Sequence, residues 1–441
     1  MKQYQAVVIG FGKGGKTLAA TLAKAGWSVA LIEQSTSMYG GTCINIGCIP
    51  TKALVHDAQQ HHQFAAAMRR KSDVVGFLRD KNYHNLADLP NVEVIDGRAE
   101  FVDSHTLRVV TPNGELSLRG EKIFINTGAR SQVPNIDGIT STPGVFDSTG
   151  LLELETLPAK LSILGGGYIG VEFASMFAKF GSKVTIYEAA SRFLPREDKD
   201  IADAVLAILQ QQGVELVLNA KVQKVSPSQG GVAVHLPQGE AHFDALLMAS
   251  GRAPNTQALQ LDKAGVKVNE RGAVVVDSFL HTSVSHIWAL GDVNGGPQFT
   301  YISLDDFRIV RDQLLGAGLR STADRKQVPY SVFMTPTLSR VGITEEQARE
   351  QGADFQVVSL PVAAITRARV MNETQGVLKA VVENKTGQIL GVALLAVDSH
   401  EMINTVKTVM DAGLPYIQLR DQIFTHPSMS EALNDLFSQV K

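Results

Sequence analysis

The sequence predicts an α/β protein made of two dinucleotide-binding folds followed by a separate α+β unit. Three observations lead there. A strand, a glycine-rich turn, a helix and a second strand ending in an acid run from Tyr4 to Glu33. The same order returns from Lys160 to Glu188. From about Pro329 the pattern changes to alternating strands and a helix.

The first fold opens with the apolar run Tyr4–Ile9, of the kind buried in a parallel sheet. Gly10-Phe-Gly12-Lys-Gly-Gly15 follows at once, then a helical run through Lys24 and a strand, Ser28–Ile32, that ends at Glu33. A lone GxGxxG is weak evidence. Set between a strand and a helix it is strong, because glycines permit a tight turn and close approach of backbone to a pyrophosphate. The helix N-terminus then faces the phosphates, and the acid about 20 residues on binds a ribose.

The second fold repeats this order. Lys160–Leu164 is a strand, Gly165-Gly-Gly167-Tyr-Ile-Gly170 is the turn, a helix runs to about Phe180, and Lys183–Tyr187 ends at Glu188. Glu188 at the acidic position favours a free ribose 2′-hydroxyl, hence NADH over NADPH. Arg192 nearby is the residue type that accommodates a 2′-phosphate, which leaves NADPH as the alternative.

Between the folds, Val92–Leu118 reads as short strands with turns at Asp96-Gly97 and Pro112-Asn113-Gly114. Lys122–Asn126 is a buried strand ending in Thr127-Gly128-Ala129, and Ala245–Ser250 ends in Gly251-Arg252-Ala-Pro254-Asn255. Ile287-Trp-Ala-Leu ends in Gly291-Asp292, where a carboxylate either accepts hydrogen bonds from a polyol or merely closes a turn. Leu378–Glu383 and Ile389–Ala396 are alternating strands, and Glu401–Ala412 is a helix. The predicted divisions are residues 1–148, 149–254, a central segment 255–328 completing the first fold, and 329–441.

Gly40-Gly-Thr42-Cys43-Ile-Asn-Ile-Gly-Cys48-Ile-Pro-Thr-Lys52 holds both cysteines of the 441-residue chain. A thiol pair this close, with no other cysteine, points to redox chemistry. The alternatives are two buried structural thiols or half of a zinc site, although zinc wants CxxC-type spacing and two more ligands nearby. A helix predicted from Ala53 onward sets the pair near a partial positive end, which lowers a thiol pKa.

Composition is that of an ordinary globular protein, with 44% hydrophobic and 19% charged residues. A net charge of -3 gives no footprint for nucleic acid or an anionic membrane. No signal peptide and no membrane-length apolar stretch is visible, so a cytoplasmic location is expected. His56, His61 and His62 lie on a polar helical run and read as a solvated face. His426-Pro427-Ser428-Met-Ser-Glu431 is a second candidate site. A carboxylate five positions on, across a proline expected to start a helix, would fix the histidine tautomer, while a cap or surface role is the alternative.

Together these motifs resemble the class I pyridine nucleotide-disulfide oxidoreductases, which include dihydrolipoyl dehydrogenase, glutathione reductase and mercuric reductase. The resemblance covers essentially the whole chain. It rests on both GxGxxG turns, the CxxxxC stretch, Thr-Gly-Ala at 127–129, Ala-Ser-Gly-Arg-Ala-Pro-Asn at 249–255, Ala-Leu-Gly-Asp at 289–292 and His-Pro-Ser-x-x-Glu at 426–431. It implies a homodimer, with the C-terminal unit as dimerisation domain. It implies FAD held by Gly10, Gly12, Gly15, Glu33, Thr42, Lys52, Gly128, Gly251 and Asp292, and a nicotinamide nucleotide held by Gly165, Gly167, Gly170 and Glu188. Lys52 and Glu172 would pair beside the flavin, and Cys48 would lie against it. Cys43 would be the interchange thiol, and His426 oriented by Glu431 would act across the dimer. The likeness is strongest to members that serve in defence against reactive chlorine. It implies a metal-ion acceptor such as copper(II) or mercury(II), touched transiently by Cys43 and Cys48 and held by no resident metal site. Reduction of a small lipoamide- or glutathione-like disulfide, or a thiol sensor with little turnover, are the other readings. Phe424 stands where lipoamide enzymes commonly carry a further histidine, Ser428 replaces the usual threonine, and no cysteine follows Cys48. A relay through a C-terminal thiol pair is therefore absent.

Overall fold

The computed structural model describes Met1–Lys441 as a mixed α/β protein. The first strand, Lys2–Ile9, lies between Val29–Glu33 and Gly114–Ile125 and runs parallel to both, with Ile9 opposite Ile32 and Ile125. Val92–Asp96 extends the parallel order on one side. Ile287–Ala289 extends it on the other, with Ala289 opposite Ile125. Parallel strands are covered on both faces, which is why they read as continuous apolar runs. Their carboxyl ends reach one edge, where Gly10, Asn126 and Gly291 follow. Ligands of doubly wound sheets bind outside such an edge.

Gly114–Ile125 is a single strand of 12 residues, where the sequence pattern breaks it into a hairpin arm and a separate strand at Lys122. Its first part pairs antiparallel with Thr106–Thr111, and residues 118–125 pair parallel with Lys2–Ile9. One strand shared by two ladders needs no intervening turn.

The second sheet runs Val214–Val217, Lys183–Tyr187, Lys160–Leu164, Ala245–Met248, Val145–Phe146, all parallel. An antiparallel ribbon of Lys224–Ser228, Gly231–Leu236 and Gly239–Phe243 is inserted before Ala245. The helix Tyr168–Phe180 buries Val171, Phe173, Ala174, Met176 and Phe177, an apolar stripe at helical spacing. Ala129–Ser131 pairs antiparallel with Arg252–Pro254 where the chain passes between the two folds.

The C-terminal unit is an antiparallel sheet in the order Tyr330–Val332, Leu338–Gly342, Ile389–Leu395, Val377–Glu383, Phe355–Pro361. The helix Ser399–Asp411 packs on it, with Met402, Ile403 and Val406 buried.

Two local expectations change, and one long helix has no mark in the sequence. The helix predicted from Ala53 begins at Cys48, with Pro50 inside its first turn, where a missing N–H costs nothing. The last helix begins at Ala432 and not at Pro427, because Leu433, Leu436 and Phe437 supply its buried face. Phe64–Ala87 is a helix of 24 residues whose polar surface and Gly76 conceal its period in the sequence. No helix is long and apolar enough to cross a membrane.

Candidate redox and dinucleotide site

The two glycine turns are built alike. Gly10 has φ +102 and a Cβ there would stand 2.4 Å from Asn126 O. Gly165 has φ +106 and its Cβ would stand 2.6 Å from Ala249 O. Both positions thus demand glycine, by backbone conformation and by contact with the neighbouring strand end. Gly12 and Gly15 continue the first turn, with Gly15 N donating to Asn126 Oδ1 at 2.9 Å. Gly167 and Gly170 continue the second.

The acids also match. Glu33 is buried and accepts from Phe11 N at 3.0 Å and Ser35 N at 3.2 Å. Glu188 accepts from Gly166 N at 2.7 Å and Ala190 N at 2.8 Å. In each fold the carboxylate ties the middle of the turn to the strand that ends beside it. Burial pushes the Glu33 carboxyl up, opposed by its backbone hydrogen bonds. Arg192 does not face a free position. Its guanidinium is bidentate on Glu346 at 2.9 and 3.0 Å and donates to Glu197 O at 2.7 Å.

Gly128 and Gly251 lie where the chain crosses between folds. Asn255 N donates to Gly128 O at 2.9 Å, and Gln132 N donates to Gly251 O at 2.9 Å. Asp292 sits in the short turn Gly291–Asn294, where burial raises its carboxyl pKa against the pull of Arg252. The residues present therefore fit a dinucleotide: a glycine cradle at a helix start, a buried ribose-side carboxylate and a second acid at the same sheet edge.

Thr42 begins the short helix Thr42–Asn45, which carries Cys43, and Cys48 begins the helix that carries Lys52. Both thiols are free, Cys43 half-buried and Cys48 exposed. The hydrogen bond from the Cys43 thiol is the main cause that lowers Cys48 to about 6, with Thr300 and the Lys52 charge acting the same way. The same hydrogen bond, with burial, pushes Cys43 up. At neutral pH Cys48 is thus the thiolate and Cys43 the thiol that serves it.

Lys52 Nζ lies 3.0 and 2.8 Å from the two Glu172 oxygens. Glu172 Oε1 also accepts from Phe333 N at 2.8 Å, and Lys52 stands 4.7 Å over the Phe333 ring. The pair joins the first fold, the second fold and the C-terminal unit at one point. The long helix holds the thiol loop from behind, with Arg79 Nε on Asn45 Oδ1 at 2.8 Å. Lys16 Nζ bridges Gly40 O at 3.0 Å and Asn82 Oδ1 at 2.6 Å.

His426 Nδ1 is 2.9 Å from Glu431 Oε2, and the imidazole is exposed. Within one chain it makes no hydrogen bond to either thiol. His56 and His62 flank the buried Asp57, whose main partner is Arg70 at 2.7 Å, so these histidines are arranged as a salt-bridged helix end. No group of three or more His, Cys, Asp or Glu side chains is arranged to hold a metal ion.

Sequence reasoning missed Thr300, whose Oγ1 lies 3.5 Å from Cys48 Sγ at the start of the helix Thr300–Leu315. It missed Lys16 beside Cys43 as well. Neither lies in a motif, and only the preceding Gly-Gly-Pro-Gln turn marks a helix start at Thr300.

Residues 4–306 match the family described as pyridine nucleotide-disulphide oxidoreductase, and residues 328–437 match its dimerisation domain, which points to a homodimer. The chain is 71% identical over 441 residues to the probable pyridine nucleotide-disulfide oxidoreductase RclA of Escherichia coli (strain K12), covering 100% of both. It is 33% identical over 451 residues to the mercuric reductase of Bacillus cereus, covering 98% of this chain and 70% of that one. It superposes with TM-score 0.99 and 71% identity on the Cu(II) complex of the HOCl-induced flavoprotein disulfide reductase RclA from Escherichia coli, covering 100% of each chain. That family depends on FAD and NAD(P). The chain, with its paired glycine turns, its thiol pair and its C-terminal unit, is an oxidoreductase that belongs to the pyridine nucleotide-disulphide oxidoreductase family.

Proposed function

We propose that the protein carries electrons from NADH to copper(II), using bound FAD and the Cys43–Cys48 pair. The observation that carries this reading is the unequal thiol pair: a Cys48 thiolate beside a protonated Cys43, with no cysteine elsewhere to relay a substrate. Soft thiolate ligands suit copper and mercury ions, and a highly similar protein forms a Cu(II) complex.

FAD supplies acceptance of a hydride from NADH and delivery of an electron pair. Gly10, Gly12, Gly15, Glu33, Thr42, Lys52, Gly128, Gly251 and Asp292 are assigned to hold it, within units 1–148 and 255–328. Gly165, Gly167, Gly170 and Glu188, in unit 149–254, are assigned to the nicotinamide nucleotide. NADH is the nucleotide of choice because Glu188 accepts backbone hydrogen bonds at the acid position while Arg192 is engaged by Glu346. The two electrons and one proton of the hydride convert the disulfide to a Cys43 thiol beside a Cys48 thiolate. Two copper(II) ions then take one electron each, and the disulfide re-forms with release of that one proton. Lys52 holds positive charge beside Cys48, and Glu172 fixes that ammonium. The work takes place in the cytoplasm, where a dithiol pair cycles.

His426 with Glu431 supports a second reading, reduction of a small disulfide, in which unit 329–441 of a partner chain would bring the imidazole to Cys43. A leaving thiolate needs a proton and a metal ion does not. The test is NADH oxidation by the flavin-loaded protein with copper(II), lipoamide or glutathione disulfide, in parent and His426→Ala. Turnover with copper(II), unaffected by His426→Ala, is expected. Turnover with a disulfide alone, lost in His426→Ala, would replace copper by the second reading.

A further inference from the structure

Glu197 is fully buried and belongs to none of the motifs above. Its Oε1 accepts from Tyr330 Oη at 2.5 Å and from Tyr168 Oη at 2.8 Å, and the two hydroxyl oxygens are 3.0 Å apart. Its Oε2 faces Arg340 Nη1 at 3.1 Å, and Arg340 is only 3% exposed. Tyr168 is the first residue after Gly167 in the second glycine turn. Tyr330 and Arg340 come from the C-terminal sheet. The Tyr168 and Tyr330 rings stack at 5.3 Å, Tyr330 stacks on Phe299 at 6.2 Å, and Phe299 precedes Thr300, the neighbour of Cys48.

A carboxylate this buried is costly unless paired and hydrogen-bonded, and here its oxygens meet a guanidinium and two hydroxyls. Tyr168, the first residue of the helix Tyr168–Phe180, is thereby tied to the C-terminal unit. We propose that Glu197 and Arg340 are positioning residues: they clamp Tyr168 at the mouth of the second glycine turn, so that the C-terminal unit sets the geometry in which the nicotinamide is received. This rests on the reading of that turn as the NADH site. Tyr168 is the side chain that would meet the nicotinamide end. Glu197 acts through its hydroxyl, and Arg340 acts through Glu197.

The experiment is stopped-flow reduction of the flavin-loaded protein by NADH, set beside copper(II) oxidation of protein already reduced by dithionite. Glu197→Gln removes the charge that Arg340 requires, and Tyr330→Phe removes one hydroxyl. Because Glu197→Gln leaves Arg340 unpaired, Glu197→Leu with Arg340→Met replaces the ion pair by apolar groups of similar volume, a change that commonly keeps a fold stable. The expected result is NADH-driven reduction slowed about tenfold or more in Glu197→Gln and in the double variant, as for a misplaced reacting group, with a raised KM for NADH. Oxidation of the prereduced protein and the Tm of the double variant stay at the parent values. Equal NADH reduction rates in parent and variants would overturn the proposal and leave the NADH reading standing. So would equal slowing of both half-reactions with a lowered Tm. Failure of NADH to reduce the parent would overturn the NADH reading itself.

Discussion

Lys52 Nζ lies 2.8 Å from Glu172 Oε2, which ties the helix that starts at Cys48 to the helix that starts at Tyr168. The thiol site and the second glycine turn are therefore held in one register. The Glu172 carboxylate also takes the Phe333 N–H, so the same bond secures the C-terminal unit.

Lys52→Met removes a charged donor from a largely enclosed carboxylate. A loss of about 1–3 kcal/mol in unfolding free energy is expected, as for a buried charged group left without its partner. The Cys48 pKa rises at the same time, because the Lys52 charge is one of the causes that lower it. Denaturant unfolding reads the first effect and iodoacetamide alkylation against pH reads the second. Unchanged alkylation would show that the Lys52 charge does not lower the Cys48 thiol.

The Cys48 thiol is lowered to about 6, so its thiolate is present above that pH and is lost as pH falls through it. Alkylation of reduced, flavin-free protein at Cys48 should be near its plateau at pH 7 and should fall as pH drops through about 6. Cys43, pushed up, should react more slowly throughout. Thr300→Val, which removes the hydroxyl at 3.5 Å, should move the Cys48 midpoint upward. Peptide mass spectrometry separates the two cysteines.

Gly10→Ala and Gly165→Ala put a Cβ against Asn126 O and Ala249 O in backbone that disfavours one. The first should yield colourless protein. The second should remain yellow and fail to be reduced by NADH while still accepting electrons from dithionite. Loss of colour in both would mean that the two turns do not serve separate dinucleotides.

Glu188→Ala should erode the preference for NADH over NADPH, read as the ratio of kcat/KM values. Arg192→Ala should leave that ratio unchanged, because its guanidinium is bound to Glu346 and Glu197 O. A parent that already prefers NADPH would reverse the assignment.

What was legible in the sequence was local. A glycine turn and its acid lie 22 positions apart, as in Phe11 N to Glu33 Oε2, and the strand–turn–helix order between them fixes their meeting. The repeat at Gly165 follows the same spacing. Lys52 and Glu172 could be paired only through the family resemblance, since nothing between them signals contact over 120 positions. Thr300 meets Cys48 across 252 positions and Arg340 meets Glu197 across 143, with no motif at either end. The thiol helix starts at Cys48, five positions before Ala53, because Gly47 only precedes it and Pro50 fits its first turn.

The most direct test is the copper(I) formed per NADH under anaerobic conditions, measured with a copper(I) chelator in parent, Cys43→Ser and Cys48→Ser. Two copper(I) per NADH are expected in the parent, with loss of turnover in both variants while NADH still bleaches the flavin. Copper(I) production at the parent rate in Cys48→Ser would contradict this, because electrons would then reach the metal without the thiol pair.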